Sequence, residues 1–376
     1  MDMASAPVAI PSAASHCAEE WRALAQRAAE PNPFYHPAIL LPALRHLEDG
    51  TRVRMIEARD DTGQLIGVMP VQVRSAHARY RVKNCANWMH GQCFYGAPLM
   101  LAGEETQAWA AILQQLDDTR WAGNFLHLDG LDAEGPVAIA LEQLCAAQKR
   151  GYKRIASHER AMLRSAMDAE GYCDSNIRAK KRKEIRRLMN RLAEQGEVTH
   201  RRLSDGGDAR AWAEDFLALE CAGWKGVEGT ALGSAPATRA FFREAIANSA
   251  HNGLLDMLRI DLDGQPIAML VNFRLGCSAF SYKIAFDERF ARFSPGVLIE
   301  LDNLRAALAD PTLEWSDSCA APNHPMIDGL WAERRHIVQY RVALMGQGLT
   351  ALKRHITFEI TGFLESGISS VKGRRP

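Results

Sequence analysis

The residues best equipped for chemistry lie between Ser278 and Gly329. Arg289 and Arg292 stand in a loop that closes with Ser294-Pro295-Gly296, after which Val297, Leu298, Leu301, Leu304 and Leu308 recur at helical spacing. A helix N-terminus offers free N–H groups and the positive end of the macrodipole. Two arginines just ahead of one make a recipe for a phosphate or pyrophosphate site. Ser294 fits the N-cap, Pro295 the first turn, and Gly296 lets a ligand approach the backbone. The competing reading is an ordinary strand–helix crossover with solvated arginines. Further on, Asp317, Ser318, Cys319, His324 and Asp328 crowd into one polar stretch. Histidine titrates near neutral pH, so His324 is a candidate base; the alternative is a loop histidine between two prolines, held by backbone contacts. Cys319 has no flanking basic residue or base-orienting motif and reads as an inert thiol.

These residues need elements to hold them. Ala279, Ser281, Lys283 and Ala285 alternate with Phe280, Tyr282, Ile284 and Phe286, which predicts a central strand buried on both faces. Upstream, Met55–Val71 and Met257–Phe273 share a pattern of strand, acidic turn with glycine, then apolar strand (LIGVMPV against PIAMLVNF), a weak internal repeat. Helices are expected around Trp21–Ala28, Ile39–Leu47, Trp109–Leu116, Pro136–Lys149, Ala209–Trp224 and Pro236–Ala250, with strands at Asn124–Leu128 and through Trp88–Leu99. The expected fold is mixed α/β, two similar halves, each a mixed sheet flanked by helices. The boundaries expected are a disordered start at 1–15, halves at 16–160 and 161–345, and a C-terminal helix with a basic tail at 346–376. Between the halves, Asn176–Glu197 is dense in Lys and Arg, with Ile177, Ile185, Leu188 and Leu192 as a thin apolar stripe. It reads as a solvated helix packed by one edge, or as a docking surface for an acidic substrate, RNA or anionic lipid. At the C-terminus Leu349, Leu352, Ile356, Ile360, Phe363 and Ile368 recur near helical spacing, followed by Lys372, Arg374 and Arg375. This is a helix packed on the domain or one resting on a membrane surface.

Bulk composition narrows the class. The chain has 376 residues, 47% hydrophobic and 24% charged, with Lys+Arg and Asp+Glu equal at 45 each, so no overall field favours nucleic acid. The eight cysteines are scattered without a C-x-x-C pair, which argues against a disulfide framework or a zinc site. The start lacks the basic and apolar regions of a secretion signal, and no apolar run is long enough for a membrane span. A cytoplasmic protein is expected, with peripheral contact at the inner membrane face as the one form of membrane association left open.

Several of these segments together resemble a family. Glu220, Trp224 and Lys225-Gly226, the FFREA of Phe241–Ala245, the hairpin ending PIAMLVNF, and FSYKIAFDERFARFSPG are similar to the C-terminal half of GNAT-like acyltransferases. The narrower resemblance is to the duplicated branch that includes cellulose-biosynthesis acetyltransferase-type proteins. That branch is related to the peptidyltransferases that build peptidoglycan bridges, and bacterial ceramide synthase-like proteins fall near it. The basic Lys180–Arg191 helix belongs to the same likeness, which runs from about Trp21 to Val342 and is strongest from Asn176.

The resemblance implies an N-acyltransferase with acyl-CoA as co-substrate and no permanent cofactor or metal. Arg289, Arg292, Ser294, Gly296 and Val297 would hold the CoA pyrophosphate. Gly296 is the only glycine in a loop where the family has more, so an acyl carrier-protein thioester stays open as donor. The strand after the helix would splay from Ser278–Phe286 with the thioester between them, bringing Asp317, Ser318, Cys319 and His324 to the reaction. His324-x-x-x-Asp328-Gly329 also matches the H-x-x-x-D-G signature of another acyltransferase class, in which the histidine deprotonates the acceptor. Glu220, Trp224, Lys225 and Tyr282 would meet the acceptor amine. The amphipathic C-terminus points to a lipid long-chain base as acceptor. An envelope polysaccharide is the alternative, and a non-catalytic RNA- or surface-binding module is the alternative of another class.

Overall fold

A computed structural model describes residues 14–48, 52–77, 80–203 and 207–372. The expected disordered start and the tail residues Arg374 and Arg375 lie outside them. The strands are β1 (Arg54–Arg59), β2 (Leu65–Arg74), β3 (Asn84–Asn87), β4 (Leu99–Met100), β5 (Phe125–Asp132), β6 (Tyr152–Leu163), β7 (Val198–Arg202), β8 (Leu255–Leu262), β9 (Gln265–Leu275), β10 (Ser278–Phe286), β11 (Trp315–Asp317) and β12 (Glu333–Ala343). The helices are α1 (Ala14–Gln26), α2 (Pro37–His46), α3 (Glu105–Asp117), α4 (Pro136–Ala147), α5 (Ala169–Asn176), α6 (Ala179–Ala193), α7 (Ala209–Ala222), α8 (Trp224–Val227), α9 (Pro236–His251), α10 (Pro295–Ala309) and α11 (Gly348–Lys372).

All strands join one mixed sheet in the order β1-β2-β3-β5-β12-β6-β11-β10-β9-β8-β7, with β4 attached to β2. The repeat read from the two hairpins is visible in this order. β1-β2-β3-β5 runs inward from one side and β8-β9-β10-β11 from the other. Each run ends in its one parallel pair, β3 with β5 and β10 with β11. The second hairpin turns on Asp263 and Gly264, both at positive φ, the backbone a two-residue type I′ turn requires. Where the runs meet, the last strand of each lies against the other. β12 inserts between β5 and β6, and β6 pairs with β11. The expected boundary at 160/161 therefore falls inside β6, and the halves share one continuous sheet.

Two core clusters cover the sheet faces. Aromatics dominate one: Phe34, Phe273, Phe280 and Tyr282 meet edge-on or tilted at centroid distances of 4.9–6.4 Å. The strand expected through Trp88–Leu99 is corrected: between β3 and β4 this stretch is irregular. Among its backbone bonds are ones to the Asn87 side chain and to strand β5. Asn87 Nδ2 donates to Gly96 O at 2.9 Å, and Gly96 N–H donates to Gly130 O at 2.8 Å. A Cβ on Gly96 would stand 2.0 Å from the Asp129 carbonyl, so only glycine permits the approach.

α11 packs with the face opposite to its apolar stripe. Arg354, Phe358 and Thr361 are buried, Arg354 donating to the carbonyls of Asp117, Thr119, Gly123 and Met345. Leu349, Leu352, Ile356, Ile360 and Phe363 are exposed. The helix expected either to pack on the domain or to rest on a membrane surface is packed on the domain, with its apolar stripe facing outward. The side chains of Ile368 and Lys372 lie outside the described set.

Candidate active site

β10 and β11 pair in parallel only over Ser278–Phe280 and Trp315–Asp317. Beyond that point β10 continues to Phe286 while the other chain turns away through Ser318 and Cys319, so the sheet opens into a wedge. A register shift between Ser281 and Lys283 leaves Tyr282 without a partner on β9. A bulge at this point re-aims neighbouring side chains and frees backbone groups. Two cavities meet at the wedge, about 220 Å³ and 250 Å³ in volume, sharing Lys225, Ile284, His324 and Met326. The first holds Ser281, Lys283, Glu300, Ser318 and Cys319 as well; the second opens toward Glu220, Trp224 and Glu288.

The equivalent point in the N-terminal run is closed. There Asn87 follows the parallel pairs Cys85–Leu126 and Ala86–His127, as Ser281 follows its own. Asn87 Nδ2 donates to Asp129 O at 2.8 Å, and Asn87 Oδ1 accepts from Asp129 N–H at 2.9 Å. The side-chain amide imitates a peptide and stitches the strands where the wedge would start.

His324 lies on both cavities, half-buried, and its Nδ1 is buried with no partner among the described residues. Asp328 does not orient this ring. Its N–H donates to His324 O at 3.1 Å, and its carboxylate lies 3.8 Å from Arg334. The H-x-x-x-D-G spacing here closes a single α-type turn that leads into the short 3₁₀ segment Ile327–Gly329.

Asp317 is withdrawn from the wedge and lines neither cavity. It is fully buried and accepts from Arg160 at 2.5 Å, Arg335 at 2.8 Å and the Cys319 N–H at 2.8 Å. Burial pushes its carboxyl up, and the two guanidiniums together outweigh burial and hold it below the usual range. That makes it a poor base and a strong tie between β11, β6 and β12. Cys319 is half-buried on the cavity wall, and desolvation pushes its thiol well above its ordinary pKa.

Glu220 is buried. One oxygen accepts from Lys225 Nζ at 3.0 Å and the other from Leu232 N–H at 2.8 Å. Lys225 also donates to Ile284 O at 3.0 Å, so the pair clamps α7 and α8 onto β10. Glu220 thus positions Lys225 and has no oxygen without a partner. Trp224 is half-exposed at the lip. Tyr282 borders the wedge, but its hydroxyl donates to Gln92 Oε1 at 2.9 Å.

The donor loop forms with differences. Ser294 occupies the N-cap position in the left-handed region, and its side chain makes no cap bond. Pro295 begins α10, and the N–H groups of Val297 and Leu298 donate to Ser294 O. The Gly296 N–H has no partner among the described residues. A Cβ on Gly296 would meet Phe286, Met326 and Ile284 at 3.4–3.7 Å, so its open side faces an apolar wall. Arg289 is bound to Asp287 at 2.6 Å and Arg292 to Gln195 at 3.2 Å. The basic helix α6 packs here: Ile185, Leu188 and Leu192 are buried, as is Ile177 just ahead of it, and Lys181 Nζ reaches Met326 O at 3.3 Å. Sequence reasoning did not single out Lys181 or Glu300; nothing local marks them, since their places depend on which helix face packs.

A larger cavity of about 820 Å³ lies along the far part of the sheet, between Arg202, Asp256 and Arg274. Its cations are already matched, Arg202 to Asp256 at 2.7 Å and Arg274 to Asp310 at 2.8 Å.

Residues 179–323 match the acetyltransferase (GNAT) domain model, which covers β7 to β11 and ends one residue before His324. No curated protein matches the chain. Among solved structures, FemX superposes with a TM-score of 0.57 at 10% identity, covering 86% of this chain and 95% of FemX. The C-terminal domain (DUF2156) of a protein described as a lysylphosphatidylglycerol synthetase from Agrobacterium fabrum gives 0.54 at 13%, covering 87% and 91%. L-PGS from Bacillus licheniformis gives 0.52 at 13%, covering 92% and 96%. At such identities the likeness speaks for the fold. Residues 179–323 carry a GNAT-type acetyltransferase domain, which includes β10, β11 and the parting between them, while His324 and Met326 on the wedge lie just past its end.

Proposed function

We propose that this protein is an N-acyltransferase that moves an acyl group from a thioester, acyl-CoA or an acylated carrier protein, to an amine held at the wedge. The observation that carries the reading is the parting of β10 from β11 beside the N-terminus of α10, with His324 on the gap. A thioester laid in the wedge would lie along β10 past Phe280, where β11 no longer pairs with it. The Gly296 N–H and the α10 dipole suit a phosphate at its outer end, with Lys181 and Arg292 of the basic flank nearby. Arg289, Ser294 and Val297 complete that loop. The acceptor would enter past Trp224 and Lys225. His324 takes the proton from the attacking amine, a role open to a half-buried imidazole with a free nitrogen. Asp317, Asp328 and Glu220 hold the frame around it. Asn87 supports a division in which the C-terminal half carries the chemistry.

For the acceptor we favour an amphiphilic amine of the long-chain-base type, acylated with a fatty group. The outward apolar stripe of α11 supports this, since a soluble amino sugar would need no such surface. No helix among the described residues is long and apolar enough to cross a membrane, so contact with lipid would be peripheral. The test offers pure protein long-chain acyl-CoA with a long-chain amino alcohol, and separately acetyl-CoA with amino sugars, reading thiol release and product mass. Turnover in the first mixture is expected. Turnover only in the second would assign an envelope polysaccharide or its precursor instead. Salt-sensitive RNA binding without turnover in either would remove the enzyme reading.

A further inference from the structure

Glu300 lies in the second turn of α10, a helix whose sequence otherwise reads as an apolar crossover. It is buried, yet it lines the wedge cavity together with Ser281, Ser318 and His324. Its one hydrogen-bond donor among the described residues is Asn303 Nδ2, at a long 3.3 Å. Asn303 is itself held by Asn272 Nδ2 at 2.8 Å, and Asn272 faces Ser281 across the β9–β10 ladder. The cations of the cavity are engaged elsewhere. Lys225 is taken by Glu220 and Ile284 O, and Lys283 leans over the Tyr282 ring at 5.9 Å. No described cation pairs with Glu300. Burial pushes its carboxyl up to about 7, and the Asn303 amide offsets only part of that. A carboxyl that keeps its proton near neutral pH is a hydrogen-bond donor, not an acceptor pair. It also sits on the α10 side, where the donor enters.

Resting on the thioester reading above, we propose that Glu300 is the general acid of the transfer and gives its proton to the departing sulfur. The lone pair of the amine forms the C–N bond at the thioester carbonyl, and the nitrogen proton passes to His324. The C–S bond then breaks with its electron pair on sulfur, and the Glu300 proton moves to that sulfur, leaving a thiol and a Glu300 carboxylate. His324 loses its proton to solvent and Glu300 regains one, so amine and thioester become amide and thiol with no other reactant. A free thiol has a pKa of about 8.5, and a thiolate forming in a pocket short of water is costly, so an acid at this point has work to do.

The test varies the leaving group. The same acyl group is offered as a CoA thioester and as an aryl thioester, whose thiolate departs without help. Glu300→Gln, close in size, should lower kcat by roughly 10²-fold with the CoA thioester and by no more than a few-fold with the aryl thioester. Should that variant not fold, Glu300→Met keeps the volume and removes the proton, and the same selectivity is expected. Equal losses with both donors, or no loss with CoA, would overturn the assignment and leave the acyltransferase reading intact. Wild-type protein that transfers from neither donor would overturn the thioester reading, and this proposal with it.

Discussion

Replacing Asp317 by Asn should cost about 3 kcal/mol of stability while leaving the chemistry of the folded protein within a few-fold of wild type. The carboxylate is fully buried, with Arg160 at 2.5 Å and Arg335 at 2.8 Å on one oxygen and the Cys319 N–H at 2.8 Å on the other. Breaking a buried ion pair by removing one partner costs about 3–5 kcal/mol, because the other charge is stranded. Two features place this case at the low end. Arg335 keeps Asp132 at 2.7 Å and stacks on the ring of Tyr95 at 4.1 Å, and Arg160 keeps the Phe94 carbonyl at 2.6 Å. Urea unfolding at neutral pH measures the loss. Asp132→Asn should cost less, and the double variant should lose more than the sum, since Arg335 then has no anion. The pH dependence follows from the lowered carboxyl of Asp317. Its contribution is present above the unfolded value near 3.8 and is lost as pH falls through the lower folded value. A loss under about 1 kcal/mol would refute the picture of a buried tie. A large fall in kcat at unchanged stability would return Asp317 to the reaction.

Other outcomes can be checked with the same preparations. His324→Ala should lower kcat by roughly 10²-fold or more with little change in donor affinity by calorimetry; a near-normal rate would hand the proton to water. Stability should fall as pH rises from 4.5 to about 7, because folded Glu300 keeps a proton that the unfolded chain has given up. The full effect is about 3 kcal/mol, and Glu300→Gln should flatten this part of the stability–pH curve; an unchanged slope would count against a buried, neutral Glu300. Leu352→Glu with Ile356→Glu should abolish binding to anionic vesicles, read by co-sedimentation, and leave the melting temperature nearly unchanged, since both side chains are exposed. Vesicle binding that survives would move the lipid contact away from α11.

Local patterning in the sequence marks most of the elements, though not the irregular stretch between β3 and β4, where a strand is expected. Alternation marks β10, helical spacing marks α10, and the Asp263-Gly264 turn marks the second hairpin; all three are signals among near neighbours, whose pitch follows from backbone geometry. The polar stretch with His324 was legible because few side chains titrate near neutral pH. The tertiary structure alone decided which of these groups meet. The exchange of β6 and β12 between the halves pairs residues such as Ser157 and Val338, far apart in the chain, and no local period encodes such a partner. It is this exchange that surrounds Asp317 with Arg160 and Arg335 and makes a tie of a carboxylate expected beside the reaction. In the same way α11 presents its apolar stripe outward because Arg354, on its opposite face, finds five backbone carbonyls at the end of α3, in the segment after it and at Met345. Glu300 carries no mark in sequence, since an acid on a helix is ordinary until packing buries it. A charge's meaning is set by the medium and partners around it, and those arrive only when distant segments fold together.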